Sequence, residues 1–170
     1  MLIKDITVKF HLSILYAVLT VTFVSSQASI EETLRRYNED TVPYISVKEL
    51  NEKDNVLVLD ARTKQEYRIS HLRDAIWVGY KDFDVVSFLE NHSNKNQNIV
   101  VYCSVGVRSE DIGESLLKYG YLKVSNLYGG IFAWTNSGFS VYDSLENKTQ
   151  KVHAFGKEWS HLLTNAEKVY

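Results

Sequence analysis

Two stretches of the chain are apolar without alternation: "NVLVLDAR", residues 55–62, and "NIVVYC", residues 98–103. An unbroken run of branched aliphatic residues suits a strand buried on both faces, as in a parallel sheet. Shorter strands are predicted at Tyr44-Ile45, Ala75-Val78 and Val124-Leu127. Helical patterns lie between them. "SVKELNEK" begins with Ser46 and has Glu49 three residues on, a capping box. "DFDVVSFLENH" gathers Val85, Val86, Phe88 and Leu89 on one side. "RSEDIGESLLKYGY" turns Ile112, Leu116 and Leu117 inward and stops at Gly120. "SIEETLRRYNED" predicts a short lead-in helix. Alternating strands and helices predict an α/β domain, a central parallel sheet flanked by helices on both faces. Sites in such sheets lie at the carboxyl ends of the strands, where Asp60 and Cys103 fall.

The first 28 residues follow a different pattern. Lys4 and Lys9 precede an apolar run from Leu12 to Val24, and Ser25, Ser26, Ala28 and Ser29 follow it. A basic start, a short apolar centre and small residues make a secretory signal, with cleavage expected near Ser26 or Ala28. The run is short for a membrane span, so an uncleaved N-terminal anchor is the alternative. The chain is therefore expected to be exported, periplasmic or secreted. The expected divisions are 1–28 as signal, 29–43 as lead-in, 44–143 as the α/β domain and 144–170 as a C-terminal extension. The 170 residues, 45% of them hydrophobic, suffice for a core without disulfides. A net charge of −2 with interspersed signs carries no nucleic-acid footprint, so no nucleic-acid partner is expected.

The chain has one cysteine. Cys103 ends a buried strand, a loop containing Gly106 follows, and Arg108 opens a helix. Backbone N–H groups of residues 104 to 109 are placed to curl round the sulfur as a nest, and the positive helix end points the same way. Arg108 adds a fixed charge, and Gly106 lets the loop turn. All of these favour the thiolate, which is the nucleophile. Glu110 and Asp111 work against a very low thiolate pKa, although they suit a first helical turn. The alternative is an inert, buried cysteine.

"CSVGVRS" resembles the active-site loop of rhodanese-like sulfurtransferases. "VLVLDARTKQEYRISHLRDAIWV" is similar to that family's upstream signature, and "LLKYGYLKVSNLYGGIFAWTNSGFSV" to its downstream one. The resemblance runs from about Ile45 to Val141. It implies a rhodanese-like fold, with Cys103 as catalytic nucleophile and Ser104, Val105, Gly106, Val107, Arg108 and Ser109 as the substrate- and anion-binding loop. It also implies sulfur relay. Cys103 takes a sulfane sulfur from a small donor such as thiosulfate or a persulfide, is held as a persulfide, and passes the sulfur to cyanide, a thiol or a protein acceptor. No metal or organic cofactor is implied. The chain departs from the family's usual residues at Ser70, Asp74, Trp77, Ile112, Gly113 and Ser140, which are turn and packing positions.

Asp60 and Arg62 are expected to fix the strand end, with Arg62 and Glu66 pairing four residues apart. His71 reads as a packing or capping residue, and Ile131, Phe132 and Trp134 as core. His153 and His161 lack a carboxylate at ligand spacing, so no metal site is expected. Asn91 and Asn147 stand in glycosylation sequons. In the extension, Val152, Phe155, Trp159, Leu162 and Leu163 recur at near-helical spacing, as a segment packing on the domain would. Two further functions stay open beside a sulfurtransferase. One is a non-catalytic or redox-sensing module that binds a partner. The other is a phosphatase on the same fold, disfavoured because four residues, not five, separate Cys103 from Arg108.

Overall fold

The structure, a computed structural model, describes residues 29–170. The expected signal or anchor lies outside the described residues. The chain runs α1 (Ile30–Tyr37), β1 (Tyr44–Ile45), α2 (Val47–Asn51), β2 (Val56–Asp60), α3 (Lys64–Ile69), β3 (Ile76–Trp77), α4 (Val85–Asn91), β4 (Asn98–Tyr102), α5 (Arg108–Lys118), β5 (Val124–Leu127) and α6 (Gly130–Asn136). Strands β6 (Val141–Tyr142), β7 (Lys148–Thr149), β8 (Lys151–His153) and β9 (Glu167–Val169) follow, with a 3-10 turn at Ser160–Leu162 before β9.

Five strands form one parallel sheet in the order β1-β5-β4-β2-β3. From β2 the chain steps outward to β3, then returns to place β4 on the other side of β2. That reversal opens a crevice between the ends of β2 and β4, the usual place for a ligand in such a sheet. The two strand ends are level, with Asp60 paired to Tyr102.

Strand β4 explains the two-layer core. Ile99, Val101 and Cys103 enter a cluster with Phe88 of α4 and with Ile112 and Leu116 of α5. Val100 and Tyr102 enter the opposite cluster with Leu50 of α2 and with Ile131 and Phe132 of α6. Alternate side chains thus serve opposite cores, as a pleated strand requires. The helices cover both faces, as the apolar runs predict.

The capping box at Ser46 and Glu49 forms, and matching boxes start α1 at Ser29 and α3 at Thr63. The predicted apolar face of α4 is narrower than its pattern suggests: Phe88 is buried, but Val86 is exposed. Asp74, one of the departures from the family pattern, holds a positive φ of 58°, which an aspartate tolerates better than most residues.

The extension is no helix, despite its spacing. Val152, Ala154, Leu162 and Leu163 join the first core cluster from β8 and the 3-10 turn. β8 pairs with β9 and packs against α3. Asn136 of α6 ties the segment down, donating to the Leu162 carbonyl and accepting from the N–H groups of Thr164 and Asn165.

Candidate active site

Cys103 follows β4 and sits 1% exposed beneath the loop that leads into α5. Gly106 adopts a φ of 114°, open to glycine alone without strain, and its N–H donates to the Cys103 sulfur at 3.2 Å. Asn126 on β5 fixes that turn by donating to the Gly106 carbonyl at 2.8 Å. A second glycine holds the loop from the other side. Any Cβ on Gly130 would stand 2.3 Å from the Cys103 carbonyl oxygen. Its absence lets the N–H groups of Ile131 and Phe132 donate to the Cys103 and Ser104 carbonyls at 2.9 and 3.1 Å.

Burial pushes the Cys103 thiol up. The Arg108 charge, the Ser109 hydroxyl and the N–H groups of Gly106 and Ser109 more than offset it, so the pKa falls below its ordinary value. Ser109 has one hydroxyl proton and two acceptors in reach. It meets Asn126 Oδ1 at 2.7 Å, and a thiolate competes for the same proton. Of the N–H nest expected over residues 104 to 109, Gly106 and Ser109 act on the sulfur.

Arg108 is anchored by a carboxylate. Its Nη1 and Nη2 donate to Glu66 at 3.0 and 2.8 Å, and Nη2 also donates to the Ser104 hydroxyl at 3.0 Å. Burial would raise the Glu66 pKa, but hydrogen bonding and charge from Arg108, with help from Arg62 and Thr63, bring it down to about 2. The expected Arg62–Glu66 pair is corrected here. Arg62 precedes α3 and turns back to Asp60, with Nη2 2.6 Å from Oδ2, and onto the Ser70 carbonyl. Tyr102 also donates to Asp60 at 2.5 Å. Glu66 feels the Arg62 charge but makes its arginine hydrogen bonds to Arg108, across 42 positions of sequence.

Among the other loop residues, Val105 is buried and Val107 half-buried, both packed with the first core cluster. Only Ser104 and Ser109 bring polar side chains to the site. The Glu110 carboxylate turns away from the sulfur and accepts from the N–H groups of Glu39 and Thr41. His71 stacks on Tyr67, with ring centroids 4.1 Å apart, and its nitrogens meet the Tyr67 carbonyl and Glu146. No cluster of three metal-ligating side chains occurs among the described residues.

Four residues beside the site carried no sequence signal that assigned them. Asn126 stands in the quoted Asn-Leu motif, but its pairing with the loop is tertiary. The Tyr80 hydroxyl donates to Asp111 on α5 and interacts electrostatically with Arg108 and Cys103. His153 and Phe155 arrive from the extension. Burial lowers the His153 pKa, against an upward pull from Glu66, and the Phe155 ring lies 4.8 Å from the Arg108 guanidinium carbon.

The Rhodanese-like domain family matches residues 45–137, more than half of the chain and inclusive of Cys103, Arg108, Glu66 and Asn126. Curated relatives include the tRNA uridine(34) hydroxylase of Aster yellows witches'-broom phytoplasma, 40% identical over 88 residues, covering 50% of this chain and 28% of the relative. That of Staphylococcus epidermidis strain RP62A is 37% identical over 99 residues, covering 55% and 31%. The chain thus spans under a third of the length of these relatives. A solved thiosulfate sulfurtransferase from Pseudomonas aeruginosa superposes with a TM-score of 0.55 at 25% identity, over 62% of this chain and 21% of its own.

The enzyme expectation agrees with these relatives. Sulfur relay through a Cys103 persulfide does not: the curated relatives are named for hydroxylating a tRNA uridine. That reading is corrected, and with it the partner-binding or redox-sensing module and the phosphatase. The physical reason is that a nest, an arginine and a helix end specify a thiolate and leave open what the thiolate meets. The expectation of no nucleic-acid partner likewise stands against the relatives' name. The fold, the loop and the matched residues agree on one assignment: this chain belongs to the rhodanese-like domain family.

Proposed function

We propose that the chain serves the modification of a uridine in RNA, with Cys103 as the nucleophile and hydroxylation as the outcome. The observation that carries this reading is the Cys103 sulfur, its pKa drawn below the ordinary value by Arg108 and the loop's donors, set within the matched family domain, in a chain whose curated relatives are named tRNA uridine(34) hydroxylase. A thiolate is a soft nucleophile, and the uracil ring offers it an electron-poor carbon, C6, conjugated to a carbonyl. Addition forms the S–C6 bond and moves the ring's double-bond pair towards C5. C5 then attacks the distal oxygen of an oxidant of the hydroperoxide class, and the O–O bond breaks to release the alcohol or water. Loss of the C5 proton and expulsion of the thiolate restore the ring, now bearing one added oxygen. Arg108 and the N–H groups of Gly106 and Ser109 stabilise the sulfur anion on its departure. A base must be presented unpaired for such an attack, so a single-stranded loop is the fitting substrate.

The test is nucleoside mass spectrometry of tRNA incubated with the full chain, under air with a reductant and separately with hydrogen peroxide. The parent yields a uridine with one added oxygen, and Cys103→Ser yields none. Unmodified tRNA in both arms, together with thiocyanate formed from thiosulfate and cyanide, would overturn the reading. Export is a separate proposal supported by the pattern of residues 1–28 alone. N-terminal sequencing from the native host checks it: a start near residue 27 or 29 supports cleavage, and an intact Met1 in a membrane fraction points to the anchor.

A further inference from the structure

We infer that Phe155 is a substrate-binding residue, a stacking face for the nucleobase next to the reactive uridine. This rests on the RNA reading above and deepens it. Phe155 lies outside the matched residues 45–137, on the extension. β8, just before it, packs against α3, the helix that carries Glu66. One face of its ring is committed to Arg108, with the guanidinium carbon 4.8 Å from the centroid. Trp159 meets it in a T-shaped contact, with ring centroids 5.8 Å apart. The residue nonetheless stays 44% exposed.

The backbone makes the same point. Phe155 has a φ of 63°, a strained value for a bulky residue. The Gly156 N–H donates to the Ala154 carbonyl at 2.8 Å, a three-residue turn of the rare positive-φ kind. The Phe155 N–H is pinned to His153 Nδ1 at 3.0 Å. Glycine or asparagine would fit this turn better than phenylalanine. Strain of this kind, held by neighbours and placed at a site, points to use of the side chain. Arg108 touches the ring and acts on the sulfur through its charge, so a base on the exposed part of the ring is placed beside the one attacked. It fits the neighbouring nucleotide of a single strand, and aromatic stacking suits any base because every base has a flat face.

The experiment measures KM and kcat of the full chain on a short uridine-containing oligoribonucleotide, for the parent, Phe155→Asn and Phe155→Tyr. Asparagine accepts the positive φ, so Phe155→Asn keeps the fold, and its melting temperature checks that. Phe155→Asn should raise KM roughly tenfold or more, as the loss of one base–aromatic stack implies, with kcat nearly unchanged. Phe155→Tyr should restore the parent's KM. Replacing the bases flanking the uridine with abasic sites should weaken the parent to the level of Phe155→Asn and cost that variant nothing more. A Phe155→Asn enzyme with the parent's KM, or one still sensitive to abasic flanks, overturns the inference while leaving the RNA reading intact. A parent that neither binds nor modifies the oligonucleotide overturns both.

Discussion

Two arginine–carboxylate pairs stand at the same end of the sheet and do different work. Arg62 and Asp60 are two residues apart, and both side chains are 0% exposed. Their remaining polar partners, the Ser70 carbonyl and the Tyr102 hydroxyl, are buried too. Arg108 and Glu66 are 42 residues apart, and the Arg108 side chain keeps 16% exposure beside the sulfur. The first pair locks the end of β2 to the turn after α3. The second ties the start of α5 to α3 and leaves its cation within electrostatic reach of Cys103. Similar bond lengths therefore conceal opposite roles, and the distinction lies in what else each guanidinium faces. A sealed pair is scaffold, whereas a pair open on one side lends its charge to chemistry.

The largest effect that can break this contrast is expected from Arg62→Met. It strands the Asp60 carboxylate in the interior, so unfolding free energy should fall by about 3–5 kcal/mol, read by denaturant titration. The alkylation rate of Cys103 in the folded fraction should stay near the parent's. An equal loss of thiol reactivity would erase the line between the pairs.

Acid should act on the open pair. The folded Glu66 pKa of about 2 lies below its ordinary 4.5. A depressed pKa gives stability that is fully present above 4.5 and is lost as pH falls towards 2. The loss should be on the order of 3 kcal/mol. Glu66→Gln should flatten that stretch of the stability–pH curve, and an unchanged curve would mean the pair contributes nothing to folding.

Arg108→Met should cost less stability than Arg62→Met, about 1–3 kcal/mol, because the Arg108 side chain is partly exposed and water can take its place beside the buried Glu66. It should nevertheless remove most of the proposed RNA modification. Arg108→Lys should recover part of it, since a point charge supports the thiolate but cannot hold Glu66 and Ser104 with the same planar fork. The smallest shift belongs to Glu66→Gln at neutral pH. Removing the carboxylate frees more of the Arg108 charge for the sulfur, so the Cys103 pKa should drop slightly further.

Much of the fold was legible because buried parallel strands write themselves as unbroken apolar runs. The runs over residues 55–62 and 98–103 contain β2 and β4, and the Ser46 capping box marked α2. The thiolate was legible for a similar reason: strand end, Gly106, Arg108 and helix start are contiguous. Glu66 was singled out but given the wrong partner, because a spacing of four residues suggests a helical pair while the true contact is distant in sequence. Phe155 read only as packing and His153 only as a rejected metal ligand, since they come to the site through the packing of the extension, whose near-helical spacing ended as strands and a 3-10 turn. The substrate was misread because the loop encodes the charge state of a sulfur atom, and one thiolate serves several electrophiles.

The central claim is that Cys103 is a thiolate held by Arg108. As the only cysteine in the chain, it can be followed without interference. The direct measurement is its alkylation by iodoacetamide against pH, read by intact-protein mass, in the parent, Arg108→Met and Arg62→Met. The parent should titrate below the roughly 8.5 of a free cysteine, Arg108→Met should titrate well above the parent, and folded Arg62→Met should follow the parent. A parent that titrates at or above the free value, or an Arg108→Met curve that overlays the parent's, would contradict the account.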